Sequence, residues 1–361
     1  MNLETPLYQK HIDLNARIVD FAGYRMPIQY SGILVEHLAV RKSCGIFDVS
    51  HMGELIVSGT DAEKFLNYMT VNDVKTMSAG DAQYSAMCYE NGGIIDDILI
   101  YKYADDKYML VVNASNLEKD FSWLNEHKPV DVNIVDISAE TGLIALQGPY
   151  SRNILQKVVE KDLSYIPFYT FEEGTVGGVN ATIARTGYTG ELGFEIYADN
   201  DVIGQIWNSI MNIGNITPCG LACRDTLRIE MKFCLYGNDI DEKTNPIEAG
   251  LGWITKLNKE NFKGKESLIS AKENRTKLLT AFEMVDRAVP RKGYKIFSDG
   301  NEIGVVTSGT QSPSLQKGIG IGYVQFGKHT TGMELDIDIR GKMKKALIIK
   351  PPFYKNGSAQ L

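Results

Sequence analysis

Two adjacent carboxylates, Asp96 and Asp97, interrupt the run Gly92-Gly93-Ile94-Ile95-Asp96-Asp97-Ile98-Leu99-Ile100-Tyr101, which is otherwise apolar and reads as a strand. Neighbouring strand residues point to opposite faces. Asp97 is therefore expected to share a face with Ile95, Leu99 and Tyr101, and Asp96 with Ile94, Ile98 and Ile100. Neither face is polar. A carboxylate in such company must find hydrogen-bond donors, hold its proton to higher pH than usual, or line a cleft, because burying it unpaired costs several kcal/mol. The competing reading puts both aspartates at a bulge or strand end, bonded to local backbone amides.

Other residues could do chemistry too. Thr186-Gly187-Tyr188-Thr189-Gly190-Glu191 brings backbone amides and a tyrosine into a glycine-rich turn, which could hold a planar ligand or simply be a turn. Arg224 and Arg228 stand one helical turn apart, apt for carboxylates or for pairing with Asp225 or Glu230. His51, between short polar residues, reads as a hydrogen-bonder before a base. The acidic loop Tyr236 to Glu242 lacks the ligand pattern and central glycine of a calcium loop, so no metal is expected.

The elements that must position these groups come from a chain of 361 residues, long enough for two or three domains. A net charge of −7 argues against a nucleic-acid footprint over the whole surface. A local basic run, Arg340 to Lys355, reads as an edge-strand face. Five cysteines without a CxxC fit a reducing compartment better than a disulfide framework. Neither a signal-like apolar segment nor an 18-residue apolar run is present, so a soluble cytoplasmic protein is expected, with no membrane partner.

Residues 1–30 are mixed, with Phe21 to Tyr30 reading as extended chain or loop, followed by a helix from Ser31 to Ser43 with Gly45 as its cap. Thr60-Asp61-Ala62-Glu63 and Ser115-Asn116-Leu117-Glu118 are capping boxes, each predicting a helix. Strands are predicted over Glu54 to Ser58, Tyr84 to Tyr89, the aspartate stretch and Tyr108 to Asn113, with a hairpin at Glu90-Asn91-Gly92-Gly93. Together these give an α+β domain over 53–138 that carries the aspartates. Leu143 to Gln147 reads as a buried strand turning into a helix at Pro149. The charged stretch Asn258 to Arg275 marks a connection, taken as 251–275. Beyond it, 276–361 has the short alternating runs of an all-β barrel or sandwich, and Gly-Ile-Gly-Ile-Gly at 318–322, with no helix after it, is no dinucleotide fingerprint.

A set of motifs then carries a resemblance. These are Thr5-Pro6-Leu7-Tyr8, Val19 to Gly23, Glu36-His37-Leu38-Ala39-Val40-Arg41, Phe47-Asp48-Val49-Ser50-His51-Met52-Gly53-Glu54, Gly92 to Asp97, Arg185 to Glu191, Leu235 to Asp241 and Thr307-Ser308-Gly309. Their order and spacing, nearly end to end, resemble the T-protein family of the glycine cleavage system, which are aminomethyltransferases. The resemblance implies a three-domain cloverleaf around a central folate cavity. Its folate-binding domain would be discontinuous, 1–52 plus 139–250. It implies transfer of a methylene from the aminomethyl-lipoyl arm of the carrier H-protein to tetrahydrofolate, a co-substrate, releasing ammonia, methylenetetrahydrofolate and dihydrolipoyl H-protein. Neither metal nor pyridoxal phosphate is implied. Asp97 matches the catalytic aspartate, and Glu195 and Arg224 match pterin- and folate-contacting positions. Tyr188, Asn113, Met52, Tyr84 and Tyr236 match pocket positions. The alternative is a folate-binding, non-enzymatic protein of the iron–sulfur assembly type. That branch has a Lys-Gly-Cys-Tyr-type motif, whereas Thr244 to Gly250 here holds no cysteine.

Overall fold

The computed structural model describes residues 2–361. Chain 53–136 forms a five-stranded antiparallel sheet in the order Ala82–Cys88, Ile94–Ala104, Lys107–Val112, Gly53–Ser58, Asn133–Asp136. Helices Ala62–Met69 and Leu117–His127 cover one face, where Leu55, Val57, Phe65, Leu66, Ile98, Ile100 and Leu110 are buried together. The predicted capping boxes begin these helices, but their side chains serve elsewhere. Glu63 reaches Lys102, and the Asn116 amide turns to Asp96 at 2.5 Å. A charge-assisted bond outweighs a neutral helix cap.

A β-bulge corrects the expected alternation in the aspartate strand. The register slips at Met87/Cys88, so Met87 pairs with Asp96 and Cys88 with Ile94, leaving Ile95 as the extra residue. Ile95 packs with the helices beside Ile98 and Ile100, not on the side of Asp97. Ile94 joins a separate cluster with Ala86 and Cys88. Asp97 keeps Leu99 and Tyr101 as companions on its face.

The second sheet has six strands in the order Phe171–Val176, Val179–Ala184, Gly193–Asp199, Thr141–Gln147, Gly45–Asp48, Thr217–Pro218. The chain leaves it after Asp48, builds the small sheet, and returns at Thr141. Helix Asn200–Met211 closes its outer face through Ile203, Ile206, Trp207 and Ile210. On its inner face Phe47, Val49, Leu143, Ala145 and Tyr197 meet Ala82, Tyr101, Met109 and Val111 of the small sheet. The Tyr101 and Tyr197 hydroxyls lie 3.0 Å apart across this junction. Residues 1–30 contain helix Tyr8–Asp13 and the hairpin Arg17–Phe21/Tyr24–Gln29, whose second strand is the segment expected as extended chain or loop. The next helix spans Ile33–Lys42, and Gly45 opens a strand instead of capping it.

Between barrel and sandwich, the chain forms a closed six-stranded barrel. Its order is Lys277–Met284, Gly318–Gln325, Asn301–Gln311, Lys295–Ser298, Glu334–Ile339, Lys342–Ile349, and the last strand pairs with the first. The glycine run is a packing requirement: a Cβ at Gly320 would sit 2.4 Å from the Phe282 ring. The basic strand Lys342–Ile349 lies against acidic Glu334–Ile339, and Lys345 pairs with Asp336 at 3.0 Å. The connection before the barrel holds a helix, Lys265–Glu273. Within it Lys259 is buried, with Nζ donating to the carbonyls of Asn67, Thr70 and Asn72 at the end of helix Ala62–Met69. After the barrel the tail folds back, with Tyr354 over the Arg41 guanidinium and Ser358 bonded to Glu191. Among the described residues, no helix is long and apolar enough to cross a membrane.

Candidate active site

The bulged strand gives its two carboxylates different surroundings. Asp96 is fully buried, and its oxygens accept from Asn113 N at 2.9 Å, Asn113 Nδ2 at 2.8 Å and Asn116 Nδ2 at 2.5 Å. Asp97 is half-buried, with Oδ2 accepting from the Tyr84 hydroxyl at 2.8 Å and Oδ1 from Asn113 Nδ2 at 3.1 Å. One amide, Asn113, thus holds both carboxylates. Burial first, and the Asp96 charge second, raise Asp97 to about 7, so it exchanges a proton near neutrality.

Strand register builds the rest of this face. Leu99 pairs with Val111, and Gly53 with Val112, so Asp97, Asn113 and Met52 fall in one row across three neighbouring strands, with neighbours about 5 Å apart. Met52 is half-buried there. Tyr84 sits on the next strand and shields Asp97 from one side. Its ring lies 6.0 Å from that of Trp253, which is 62% exposed.

The large sheet and helix Leu221–Glu230 supply the opposing groups. Glu195 is buried, and Thr186 Oγ1 donates to its Oε2 at 2.6 Å, with the Tyr101 hydroxyl also within reach of the carboxylate. Burial raises its carboxyl. The two arginines separate cleanly. Arg228 donates to Asp225 at 2.8 Å, Asp239 at 2.5 Å, Ser308 at 2.8 Å and the Phe233 carbonyl, so it is structural. The Arg224 side chain makes no hydrogen bond or ion pair among the described residues and rests 4.6 Å over the Tyr188 ring. Tyr188 donates its hydroxyl to the Cys234 carbonyl and stacks on Phe233. Glu230 is occupied by Arg41 and His37 instead.

Charge effects link these residues. Tyr188 feels both Asp97 and Arg224, and Arg224 feels Glu195. Tyr236 is held differently: its hydroxyl donates to the Ile94 carbonyl and accepts from Lys119, on the side of Asp96. The glycine-rich turn is pinned by Arg41, which takes the Thr189 carbonyl and the Glu191 carboxylate.

Sequence reasoning missed several neighbours. Trp253 lay in a stretch read as linker. Glu54 is buried with neither carboxylate oxygen paired, and Asp120 likewise. An acidic residue at an inward strand or helix position was the available signal for both. Burial, with Arg224 nearby, depresses His51 to about 4, so it is neutral. Glu36, Cys219 and Cys223 lie together, but Glu36 already accepts the backbone amides of Tyr30, Gly32 and Gly220, so the group is a clasp.

Residues 7–259 match the family described as the GCVT N-terminal domain, and residues 277–355 match the glycine cleavage T-protein C-terminal barrel domain. An aminomethyltransferase of Thermosipho melanesiensis is 50% identical over 354 residues, 97% of each chain. That of Chloroherpeton thalassium is 49% identical over 358 residues, 98% of this chain and 99% of the other. The crystal structure of glycine cleavage system aminomethyltransferase T from Bartonella henselae superposes with a TM-score of 0.94 at 32% identity, covering 99% of both chains. With both domain models matched in order and relatives near 50% identical over almost the whole chain, the chain belongs to the glycine cleavage T-protein family of aminomethyltransferases.

Proposed function

We propose that the chain transfers the methylene of an aminomethyl group, carried on the lipoyl arm of H-protein, to tetrahydrofolate in the cytoplasm. The carrying observation is Asp97: a half-buried carboxylate, held by Tyr84 and Asn113 and raised to about 7, whose charge reaches Tyr188, the ring on which the Arg224 guanidinium rests. The buried Glu195 carboxylate suits the paired N–H groups of an aminopyrimidinone edge, and Arg224 suits an anionic or carbonyl group of the same ligand.

The reaction balances without an oxidant or reductant. Two folate nitrogens each bond to the methylene carbon, the bonds from that carbon to the ammonia nitrogen and to sulfur break, and the two folate N–H protons end on ammonia and on the carrier thiol. An arylamine nitrogen is weakly basic, so its attack generates positive charge before its proton leaves. Asp97 stabilises that charge and takes the proton, and its position near neutrality lets it release the proton again. Tyr84 and Asn113 fix the carboxylate so that no reorganisation is needed at the reacting atom.

The non-enzymatic alternative finds no support at its distinguishing segment. Glu248 there accepts from Thr276 and Lys277 and anchors the first barrel strand. The test is ammonia release from aminomethylated H-protein with and without tetrahydrofolate. Release stimulated by folate supports the transferase, and folate binding without stimulated release supports the alternative.

A further inference from the structure

Asp120 lies on helix Leu117–His127 directly behind the aspartate strand, and it is fully buried. No N–H or O–H of the protein donates to either of its carboxyl oxygens among the described residues. Its one carboxyl neighbour within hydrogen-bond reach is Asp96. A buried ionised carboxylate with no protein donor costs the fold several kcal/mol, and two ionised carboxylates in contact cost more. A proton between them removes both penalties. Asp96 is the partner better supplied for the charge, since it already accepts three N–H bonds from Asn113 and Asn116. The proton therefore rests on Asp120. Burial, then the Asp96 charge, raise Asp120 to about 11, in the same direction.

We propose that Asp120 is a positioning residue that acts as a neutral carboxylic acid, donating to Asp96 so that Asp96 stays ionised and Asn113 stays turned toward Asp97. The route is continuous. Asn113 Nδ2 touches Asp96 Oδ1 at 2.8 Å and Asp97 Oδ1 at 3.1 Å, so whatever fixes Asp96 fixes the amide that holds Asp97. The other titratable groups around Asp120 are Lys119 on its own helix, Asp97 on the strand, and Tyr89 and Tyr236 from the flanking loops. Lys119 is spent on the Ile95 carbonyl, Asn116 Oδ1 and the Tyr236 hydroxyl, so it does not neutralise Asp120 directly.

This inference rests on the methylene-transfer reading for its kinetic arm and is independent of it for its spectroscopic arm. The experiment compares full-length parent, Asp120→Asn and Asp120→Ala. Asn restores an N–H donor to Asp96, so turnover within about threefold of parent and an unmoved acid limb of the pH profile are expected. Ala removes the donor, so kcat should fall about tenfold or more with KM for tetrahydrofolate little changed. Difference infrared spectra of parent against Asp120→Asn should show a protonated carboxyl C=O band at neutral pH. A downward shift of the acid limb by a pH unit or more in Asp120→Asn would mean that Asp120 is ionised, and overturns the proposal. Absence of the carboxylic acid band, or an Ala variant that behaves as parent, does so too. Folate-independent ammonia release by the parent would instead remove the functional reading and leave the infrared result to decide the state of Asp120.

Discussion

Replacing Asp97 with Asn keeps the side-chain shape and removes the charge. Tyr84 at 2.8 Å and Asn113 at 3.1 Å each donate to one Asp97 oxygen, so the amide can match at most one of them. Turnover should fall about 10²- to 10⁴-fold, the range for a group that takes up a proton or stabilises charge at the reacting atom. Tetrahydrofolate affinity should change less than about tenfold, because Arg224 and Glu195 are untouched. Stability should move the other way. Asp97 is raised from 3.8 to about 7 on folding, chiefly by burial. A carboxyl raised on folding contributes stability while protonated and loses it as pH climbs through that window. At about 1.4 kcal/mol per unit, ionised Asp97 costs the fold up to about 4 kcal/mol at alkaline pH, less where solvent reaches it. Asp97→Asn should therefore melt above the parent near pH 8.5 and level with it near pH 4. Ammonia release from aminomethylated H-protein and melting curves at both pH values measure the two effects. Turnover equal to the parent would refute the catalytic assignment, and a variant less stable at alkaline pH would refute the burial argument.

The acid limb of kcat/KM for tetrahydrofolate should lie near pH 7, the position of Asp97, with activity rising as the carboxylate forms. Tyr84→Phe removes a donor that favours the ionised form, and should move that limb upward in a pH–rate profile. Arg224→Ala should weaken tetrahydrofolate binding about tenfold or more in calorimetry while leaving the melting temperature nearly unchanged, whereas Arg228→Ala, which strands the buried Asp239, should cost about 3–5 kcal/mol in denaturant titrations. Lys259→Met leaves three carbonyls without their donor and should destabilise by about 2–3 kcal/mol in the same titrations.

Alternation along the aspartate strand was legible from residue types, and it placed the two carboxylates on different sides. The bulge that moves Ile95 was not, because it depends on how Met87 and Cys88 pair across the hairpin. Arg224 and Arg228 look alike one turn apart. What separates them is Asp239, eleven positions on, and Ser308, 80 positions on, which only the docked barrel brings to Arg228. The basic run at 340–355 was visible as charge, yet its acidic partner strand Glu334–Ile339 changes its meaning, since Lys345 is already paired. Capping boxes marked both helix starts correctly, but the demand of a buried carboxylate for donors redirected Asn116. Helix Asn200–Met211 went unread although Asp199, which accepts from Asp201 N at its start, is an N-cap signal in the sequence.

Methylene transfer itself is tested most directly in a single turnover with H-protein carrying an isotope in the aminomethyl carbon. Label recovered in methylenetetrahydrofolate, in step with ammonia and dependent on added tetrahydrofolate, is the expected result. Label that stays on the carrier, or leaves as free formaldehyde at the same rate with and without folate, would contradict it.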